Sequence, residues 1–384
     1  MSGIRRIIAW GLLAGSLGLG QVTAAPLDPT LPLFTAQSQG DVSLASGSYA
    51  FTLGTNAPSL TFYNGQVFTT VATGFVYNGI NVFDFHSLNI AAGANISVTQ
   101  SSASGPIALL SSTSINMGGS IDVSATSFFG FGGPGAANTS TGGNGSRGTS
   151  PGGAGPGSVL VSGGGGGGFG GVGMAGQDTP IVNAFTRVQV GTLPGGAGGS
   201  HYESLADQLR GGSMGGIGGV FGGSSSFGPN NPGLGGGAIE LGAVQTVSVS
   251  GTIKANGSNA NYIPYQFFGG SGGGSGGGVL LHGDSVSLSG TISALGGAGG
   301  PAPFVYGSGG VGSGGLVLAE YNGPYGSFTN TGTVNVGTGL YAGRFDVASV
   351  PEPSSLILFG MSALGGVALT DWRHRSRRRA AKLD

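Results

Sequence analysis

The feature that most constrains the fold of this chain is an internal repeat, in which short apolar alternations lie between blocks of glycine. Four segments share the pattern, and they cover residues 105–123, 237–257, 278–294 and 315–337. Each holds three very short stretches in which apolar and small polar residues alternate, and a glycine precedes the third stretch, as Gly251 does. Alternation with a period of two predicts strands with one buried face. Units this short cannot bury that face alone, so the repeat indicates stacking of one unit on the next.

We therefore predict an all-β fold, a glycine-rich right-handed parallel β-helix (a solenoid) with three short strands in each turn. Residues 82–98 alternate in the same way and would form the turn before the first repeat. Residues 41–53 and 60–76 also show strand patterns, and their larger aromatic side chains suggest the cap that a solenoid needs over its terminal turn. The texture of the repeat resembles the glycine-rich β-helical repeats of bacterial surface and autotransporter-like proteins.

Glycine supplies 87 of the 384 residues, and its blocks have no strict three-residue period, which excludes a collagen triple helix. The largest block interrupts the repeat over residues 124–236, and smaller blocks cover 269–278 and 296–315. Because flexible glycine buries too little surface to offset its ordering entropy, we expect these loops to be mobile. Within the largest block we predict a strand at 158–161 and a helical turn at 202–210. All the loops precede the first strand of a repeat, so stacking would gather them on one side.

The start of the chain has the pattern of a secretory signal peptide over residues 1–24. Arg5 and Arg6 precede an apolar stretch from Ile7 to Leu19, and small residues lead to a predicted cleavage after Ala24. A retained N-terminal anchor is the alternative, and the short, glycine-broken apolar stretch disfavours it. The pattern therefore predicts export.

The end of the chain combines a short polar motif, one apolar segment and a basic cluster. The motif consists of Val350, Pro351, Glu352 and Pro353, and the cluster consists of Arg373, Arg375, Arg377, Arg378 and Arg379. A bilayer core of about 30 Å asks for about twenty apolar residues, and the run over 356–370 just suffices when its flanks lie at the interface. The positive-inside rule places the arginines in the cytoplasm, and the prolines keep the motif extended and accessible outside the membrane. We therefore predict a C-terminal membrane helix behind an exposed sorting motif.

This order of features resembles the PEP-CTERM sorting domain of Gram-negative bacteria. In that family the tail is recognised by an exosortase, a membrane transpeptidase-like enzyme, and the proteins are associated with exopolysaccharide and biofilm. The resemblance implies an exosortase-type partner, an inner-membrane-anchored precursor, and a final place at the cell surface or in the extracellular matrix. An ordinary C-terminal membrane anchor is the alternative, and whether the tail is cut or retained stays open.

These patterns divide the chain into a signal peptide over 1–24, an N-terminal β cap over 25–80, a β-helix over 81–349 and a sorting and anchor segment over 350–384. The part between the two signals is acidic. From residue 26 to residue 349 there are five Lys and Arg residues against eleven Asp and Glu residues, a formal charge of −6. Nucleic-acid binding requires a basic surface, so this balance argues against a nucleic-acid partner.

Residues that could carry chemistry are few. The absence of cysteine excludes disulfides and thiolate metal sites. Nucleotide-binding, metalloprotease and hydrolase motifs are missing in the contexts that they require. His86, His201 and His282 lie far apart without ligand spacing, so each is expected on a strand surface or in a loop. We predict no catalytic, cofactor-binding or metal-binding residues, no cofactor, and no enzyme activity.

Our leading hypothesis is a structural protein of the cell surface or matrix, associated with exopolysaccharide as the resemblance implies, and two other classes stay open. A β-helical polysaccharide lyase or hydrolase needs acids and bases that converge in a groove. Asp122 and Lys254 occupy equivalent third-strand positions, with Ser293 next in line, and would be near neighbours. A carbohydrate-binding adhesin needs exposed aromatic rings, for which the loop candidates are Tyr262, Tyr265, Phe267, Phe268, Phe304 and Tyr306.

Overall fold

A computed structural model describes residues 27, 38–54, 57–65, 67–99, 104–126, 132–136, 162–182, 189–202, 204–206, 208–218, 232–261, 269–301, 307–323 and 325–351. For residues 99, 179–182, 189–193 and 351 it describes the backbone alone. Within these ranges the protein is all-β and contains no α-helix; a 3-10 turn at Gly339–Tyr341 is the helical element found there.

The strands begin with β1 (Asp41–Leu44), β2 (Gly47–Thr52), β3 (Ser59–Tyr63), β4 (Phe68–Thr73) and β5 (Phe75–Tyr77). Two triplets follow: β6 to β8 (Ile80–Phe85, Ser87–Ile90, Ala94–Thr99) and β9 to β11 (Ile107–Ser111, Ser114–Met117, Ser120–Asp122). An antiparallel pair, β12 (Thr179–Val182) and β13 (Gln189–Leu193), precedes the other triplets. These are β14 to β16 (Ala238–Ala243, Thr246–Val249, Thr252–Lys254), β17 to β19 (Gly278–Gly283, Ser285–Leu288, Thr291–Ser293) and β20 to β22 (Leu316–Gly323, Ser327–Asn330, Thr333–Asn335). The last strand is β23 (Arg344–Pro351).

The five triplets visit the same three sheets in the same order. Their first strands lie side by side in sheet I, which runs β5-β6-β9-β14-β17-β20-β23. Their second strands lie in sheet II (β1-β7-β10-β15-β18-β21), and their third strands lie in sheet III (β4-β3-β2-β8-β11-β16-β19-β22). Successive triplets pair in parallel in every sheet. The predicted strands of all four repeats, and of residues 82–98, are thereby confirmed.

Equivalent apolar residues of the repeats lie opposite one another across the sheets. In sheet III, Ile121 is paired with Ile253, and Ile253 is paired with Ile292. All three side chains are fully buried in one continuous core between the sheets. Burial of apolar surface contributes about 25 cal/mol per Å², so the stacked side chains of this core stabilise the body.

Antiparallel strands end the parallel sheets on the N-terminal side. β1 and β2 still pair in parallel with β7 and β8, but β3 and β4 turn back against β2, and β5 turns back against β6. The rings of Tyr49 and Phe62 pack at 5.1 Å and those of Phe51 and Phe83 at 5.0 Å between centroids. The strands predicted over 41–53 and 60–76 are confirmed, and their aromatic side chains pack at this end of the core.

In the described ranges most residues of the glycine-rich segments are buried and their backbones are hydrogen-bonded, so the prediction that these segments are mobile is wrong there. The N–H groups of Gly163 and Gly166 donate to the carbonyls of residues 177 and 174 in the segment that turns back along them. The intervening Gly164 and the following Gly167 donate instead to residues 270 and 273 of a different segment. Residues three apart therefore donate to the same neighbouring segment, and three residues per turn is the period of a polyproline II helix.

One such segment, residues 270–277, is surrounded by six others. Its N–H groups donate to segments at 213–216, 255–258 and 307–313, and its carbonyls accept from segments at 164–167, 233–236 and 297–300. We call the whole assembly the glycine bundle: residues 162–177, 195–199, 211–218, 233–237, 255–260, 270–278, 296–300 and 307–315. The prediction that the loops gather on one side is confirmed, since the segments that leave sheet III and those that enter sheet I are bonded to one another.

The absence of side chains is what makes the bundle possible. A Cβ atom on Gly272, Gly273 or Gly274 would lie 1.9, 2.0 or 2.1 Å from a carbonyl oxygen of a neighbouring segment. Three faces of this segment are therefore closed to any side chain. The mobility prediction considered only the apolar surface that glycine lacks. In the structure the buried backbone N–H and C=O groups form hydrogen bonds with one another. Burying such groups without hydrogen bonds would be costly, so this pairing makes their burial possible.

The predicted helical turn at 202–210 is also wrong, since its described residues form a turn and irregular chain without a helix. Leu205 and Leu209 are buried against the outer face of sheet I, and the ring of Tyr202 stacks on Phe169 at 5.6 Å. A helix of two turns is marginal by itself, so contacts with the sheet decide the conformation. The strand predicted at 158–161 lies outside the described residues.

Candidate functional site

The last described strand carries the beginning of the predicted sorting motif. β23 lies at the edge of sheet I and pairs in parallel with β20 along its whole length, with Val350 opposite Asn322 and Pro351 opposite Gly323. Val350 is 43 % exposed. An edge position suits Pro351, because a proline has no N–H to offer a further strand. The folded body therefore holds the chain up to the second residue of the motif.

The remaining residues of the predicted sorting and export signals lie outside the described residues. These are Ala24, Glu352, Pro353, the apolar run at 356–370, and the cluster Arg373, Arg375, Arg377, Arg378 and Arg379. In the part of the chain that the structure describes, no helix is both long and apolar enough to cross a membrane.

The residues considered for catalysis come together only in part. Asp122 lies directly opposite Lys254 in sheet III, and Lys254 lies opposite Ser293, so the predicted neighbours are confirmed. The carboxylate of Asp122 accepts a hydrogen bond from the backbone N–H of Ser124 at 3.0 Å. One acid and one base on a sheet face do not form a groove with converging carboxylates. The aromatic candidates at 262–268 and 304–306 lie outside the described residues.

The histidines occupy three different settings. His86 is exposed, with its Nδ1 3.0 Å from the hydroxyl of Ser112, and His201 is exposed in a loop. His282 lies on β17, as a strand-surface prediction allows, but it has a partner that the sequence did not reveal. Its Nε2 lies 2.8 Å from Oε1 of Glu240, and the two side chains are 12 % and 0 % exposed. The sequence analysis missed this buried pair.

The pair belongs to a buried polar cluster on the outer face of sheet I, which consists of Glu240, His282 and Glu320. Glu240 stands on β14, and the ring of His282 on β17 lies over Gly242, where a Cβ atom would be 2.0 Å from Nε2. Glu320 on β20 is the register partner of His282. Burial raises the pKa of Glu320; the charge of His282 lowers it in part, and that of Glu240 raises it further.

The same face holds a third buried acid, Asp84 on β6. Neither of its carboxylate oxygens has a hydrogen-bond partner among the described residues. Burial raises the pKa of this carboxyl from 3.8 to about 7; the backbone N–H of Phe85 lies near enough to oppose the shift in part but does not form a well-aligned hydrogen bond. Within the described residues, no group of three or more potential ligands could hold a metal ion. The alternation of apolar and polar residues predicts that these acids point away from the core. It does not predict that segments distant in sequence cover this face.

The raised pKa of Asp84 predicts how stability depends on pH. Between about pH 4 and pH 7 the folded state keeps a proton that the unfolded state has lost, so the free energy of unfolding falls as the pH rises through this range. The slope approaches about 1.4 kcal/mol per pH unit for each such proton. We expect Asp84→Asn to reduce the dependence of the free energy of unfolding on pH. Some dependence should remain, because the pKa of Glu320 is also raised. Urea unfolding at pH 4, 5.5 and 7 measures this, with exposed Asp41→Asn as the control; equal slopes in wild type and Asp84→Asn would contradict it.

Comparison with known proteins identifies one region of the chain. A family model described as the PEP-CTERM protein-sorting motif matches residues 349–373, which begin in β23 and extend beyond the described residues. No curated protein and no solved structure matches the chain. The match covers the sorting motif and the apolar run, and it ends at Arg373.

Proposed function

Because the chain is a PEP-CTERM protein, exported with a C-terminal membrane-anchored precursor that fits exosortase processing, we propose that it is a structural component of the cell surface or extracellular matrix. Its signal peptide directs export, with cleavage after Ala24, and exosortase acts at the motif from Val350 to Pro353. The observation that carries the proposal is the motif match over residues 349–373, joined directly to the last strand of the folded body.

The proposed architecture of the body is a right-handed parallel β-helix with the glycine bundle along one side. Five consecutive triplets that pair in parallel, each on the one before, support it. Such a body is a rigid spacer whose length grows with the number of repeats. This shape suits a structural role, and the proposed role is non-catalytic.

Exopolysaccharide is the proposed partner in the matrix. The outer faces of sheets II and III carry ladders of short neutral polar side chains in register. One row in sheet II consists of Asn89, Asn116, Ser248, Ser287 and Thr329. Hydroxyl and amide groups both donate and accept hydrogen bonds, so such rows match the hydroxyls of a hydrated glycan without requiring charge. The acidic balance of the exported part is compatible with a neutral or weakly charged glycan.

Co-sedimentation with exopolysaccharide isolated from the native host tests this partner. We expect the wild-type protein to pellet with the glycan. The double variant Ser248→Glu/Ser287→Glu places two charges in the middle of the row and should lose at least about tenfold in affinity, or about 1.4 kcal/mol. Ser308→Glu, on the glycine bundle, is the control for added charge. Wild-type protein that stays in the supernatant would contradict the partner and leave the sorting assignment untouched.

A further inference from the structure

Two aromatic rings are exposed on the outer face of sheet III, at the end formed by β3 and β4. Tyr63 on β3 is 40 % exposed and Phe68 on the edge strand β4 is 67 % exposed, although large apolar side chains are usually buried. The two residues lie opposite each other, and their rings stack with centroids 4.7 Å apart. Both point away from the core, because neighbours along a strand alternate in direction and Phe62 packs against the core. The pair therefore presents aromatic surface to solvent.

The hairpin that joins β3 to β4 holds these rings in place. The hydroxyl of Tyr63 donates to the carbonyl of Gly65 at 2.9 Å, and Gly65 has a φ of +92°, which glycine adopts without strain. The N–H of Val67 donates to Oδ1 of Asn64 at 2.9 Å in the same turn. A side chain that is already restrained loses little conformational entropy when a ligand binds. The aromatic surface is thus preorganised.

The two rings begin a row of outward side chains that crosses the whole of sheet III. Phe68 lies opposite Tyr63, and Tyr63 lies opposite Ser48, an outward residue of β2. Beyond the rings the row consists of Ser48, Asn95, Ser120, Thr252, Thr291 and Thr333, one from each strand and all in register. Since neighbouring strands lie about 4.8 Å apart, the row over eight strands is about 34 Å long.

The chemistry of this row matches a neutral sugar polymer. A pyranose ring has a face of C–H bonds, which packs against an aromatic ring, and a rim of hydroxyls, which require hydrogen bonds. The six polar members of the row carry hydroxyl or amide groups that both donate and accept, as Ser120 does when it donates to Oδ1 of Asn95 at 2.7 Å. None of the eight side chains is charged. Asp122 and Lys254 in the adjacent row lie opposite each other, so that row has no net charge at this point.

A second copy of the chain is a poorer match for the same surface. The buried centre of a stable interface between identical chains is predominantly apolar. Here the exposed apolar surface consists of the two rings and the neighbouring Val67, and the rest of the row is polar.

We propose that this row binds one neutral polysaccharide chain laid across the strands of sheet III. The C–H face of one pyranose ring packs on Tyr63 and Phe68, and the hydroxyls of the following sugars bond to the six polar side chains. β-Linked pyranoses with equatorial hydroxyls present such a face, so glucans and related neutral polymers are the class of ligand. The inference rests on the exopolysaccharide partner of the proposed function, and it adds a site distinct from the row in sheet II.

Co-sedimentation with exopolysaccharide from the native host, separated by anion exchange into neutral and acidic fractions, tests the site. We expect wild-type protein to pellet with the neutral fraction. Phe68→Leu and Tyr63→Leu should bind at least about tenfold more weakly, because leucine is apolar but offers no flat ring. Tyr63→Phe keeps the ring and should bind as the wild type does. Val67→Ala is the matched control, since Val67 is 56 % exposed in the same hairpin but has no ring.

The polar part of the row is tested by the double variant Thr252→Val/Thr291→Val. Valine keeps the shape and the strand preference of threonine but lacks its hydroxyl. We expect the loss of two hydroxyls to weaken binding about tenfold. Circular dichroism of every variant verifies that the sheets are intact.

Three results would overturn the inference: wild-type affinity in Phe68→Leu, wild-type affinity in the double threonine variant, and binding confined to the acidic fraction. If Phe68→Leu also changed the oligomeric state in analytical ultracentrifugation while glycan binding stayed the same, a second copy would be what covers the rings. A failure of the proposed function gives a different result, because wild-type protein would then pellet with neither fraction.

Discussion

Replacing Gly273 by alanine is expected to lower the free energy of unfolding by about 3 kcal/mol or more, which is large for one methyl group. The new Cβ atom would lie 2.0 Å from the carbonyl oxygen of Gly297, and both atoms belong to backbones held by neighbouring segments. Overpacking a close-packed interior costs about 1–3 kcal/mol, and each backbone hydrogen bond lost as the segments move apart adds about 0.5–1.5 kcal/mol. Urea denaturation followed by circular dichroism measures the loss.

Gly300→Ala is the matched control, because it changes the same residue type within the same bundle. The nearest atom to its Cβ would be the backbone nitrogen of Ser271 at 3.3 Å, a tight contact without a clash. Alanine also removes about 0.4–1 kcal/mol of unfolded-chain entropy, so this variant should change stability by less than about 1 kcal/mol. Equal losses in the two variants would contradict the close packing of the bundle, as would fast amide exchange over 270–277 in the wild type.

Alanine in place of Pro351 or Glu352 is expected to reduce tail processing at least about tenfold and to leave the protein in the inner membrane. Both residues belong to the matched sorting motif, and Pro351 is the last residue of β23. The prolines hold the following peptide extended, as a processing enzyme requires, and alanine permits it to continue as helix. Fractionation of cells with quantitative immunoblotting measures the distribution.

Ser354→Ala is the control for that experiment, since it lies in the same matched segment but outside the Pro-Glu-Pro sequence. We expect it to be processed as the wild type is. Similar fractionation of Glu352→Ala and wild type would show that the acidic residue is not read, and an ordinary membrane anchor would then explain the tail.

The three sheets could be predicted from sequence because their information is local. Val247, Val249 and Ile253 alternate with polar residues at a period of two, and similar patterns recur in the other repeats. When equivalent segments of the repeats are aligned with one another, the strand bounds and the register follow. The pairing of Asp122 with Lys254 is an example. The sorting motif could be predicted for the same reason, since its parts are contiguous in the chain.

The glycine bundle and the buried acids could not be predicted in this way, because both depend on segments that are distant in sequence. A glycine such as Gly272 gives no sign of which backbone will approach it, and reasoning from apolar burial alone assigned it to a mobile loop. Glu240 is placed on an outward position correctly by alternation, yet Leu27, Leu205 and Leu209 cover that face. As a result Glu240 is 0 % exposed, against 2 % for Asp84 and 6 % for Glu320.

The intact mass of the wild-type protein collected from the surface and medium of its native host tests the sorting assignment most directly. We predict a chain that begins at Ala25 and ends after the Pro-Glu-Pro region, without the apolar run at 356–370 or the arginines behind it. A chain that keeps every residue to Asp384 and stays in the inner membrane would contradict the account. The tail would then be a plain anchor, and the proposed role in the matrix would lose its basis.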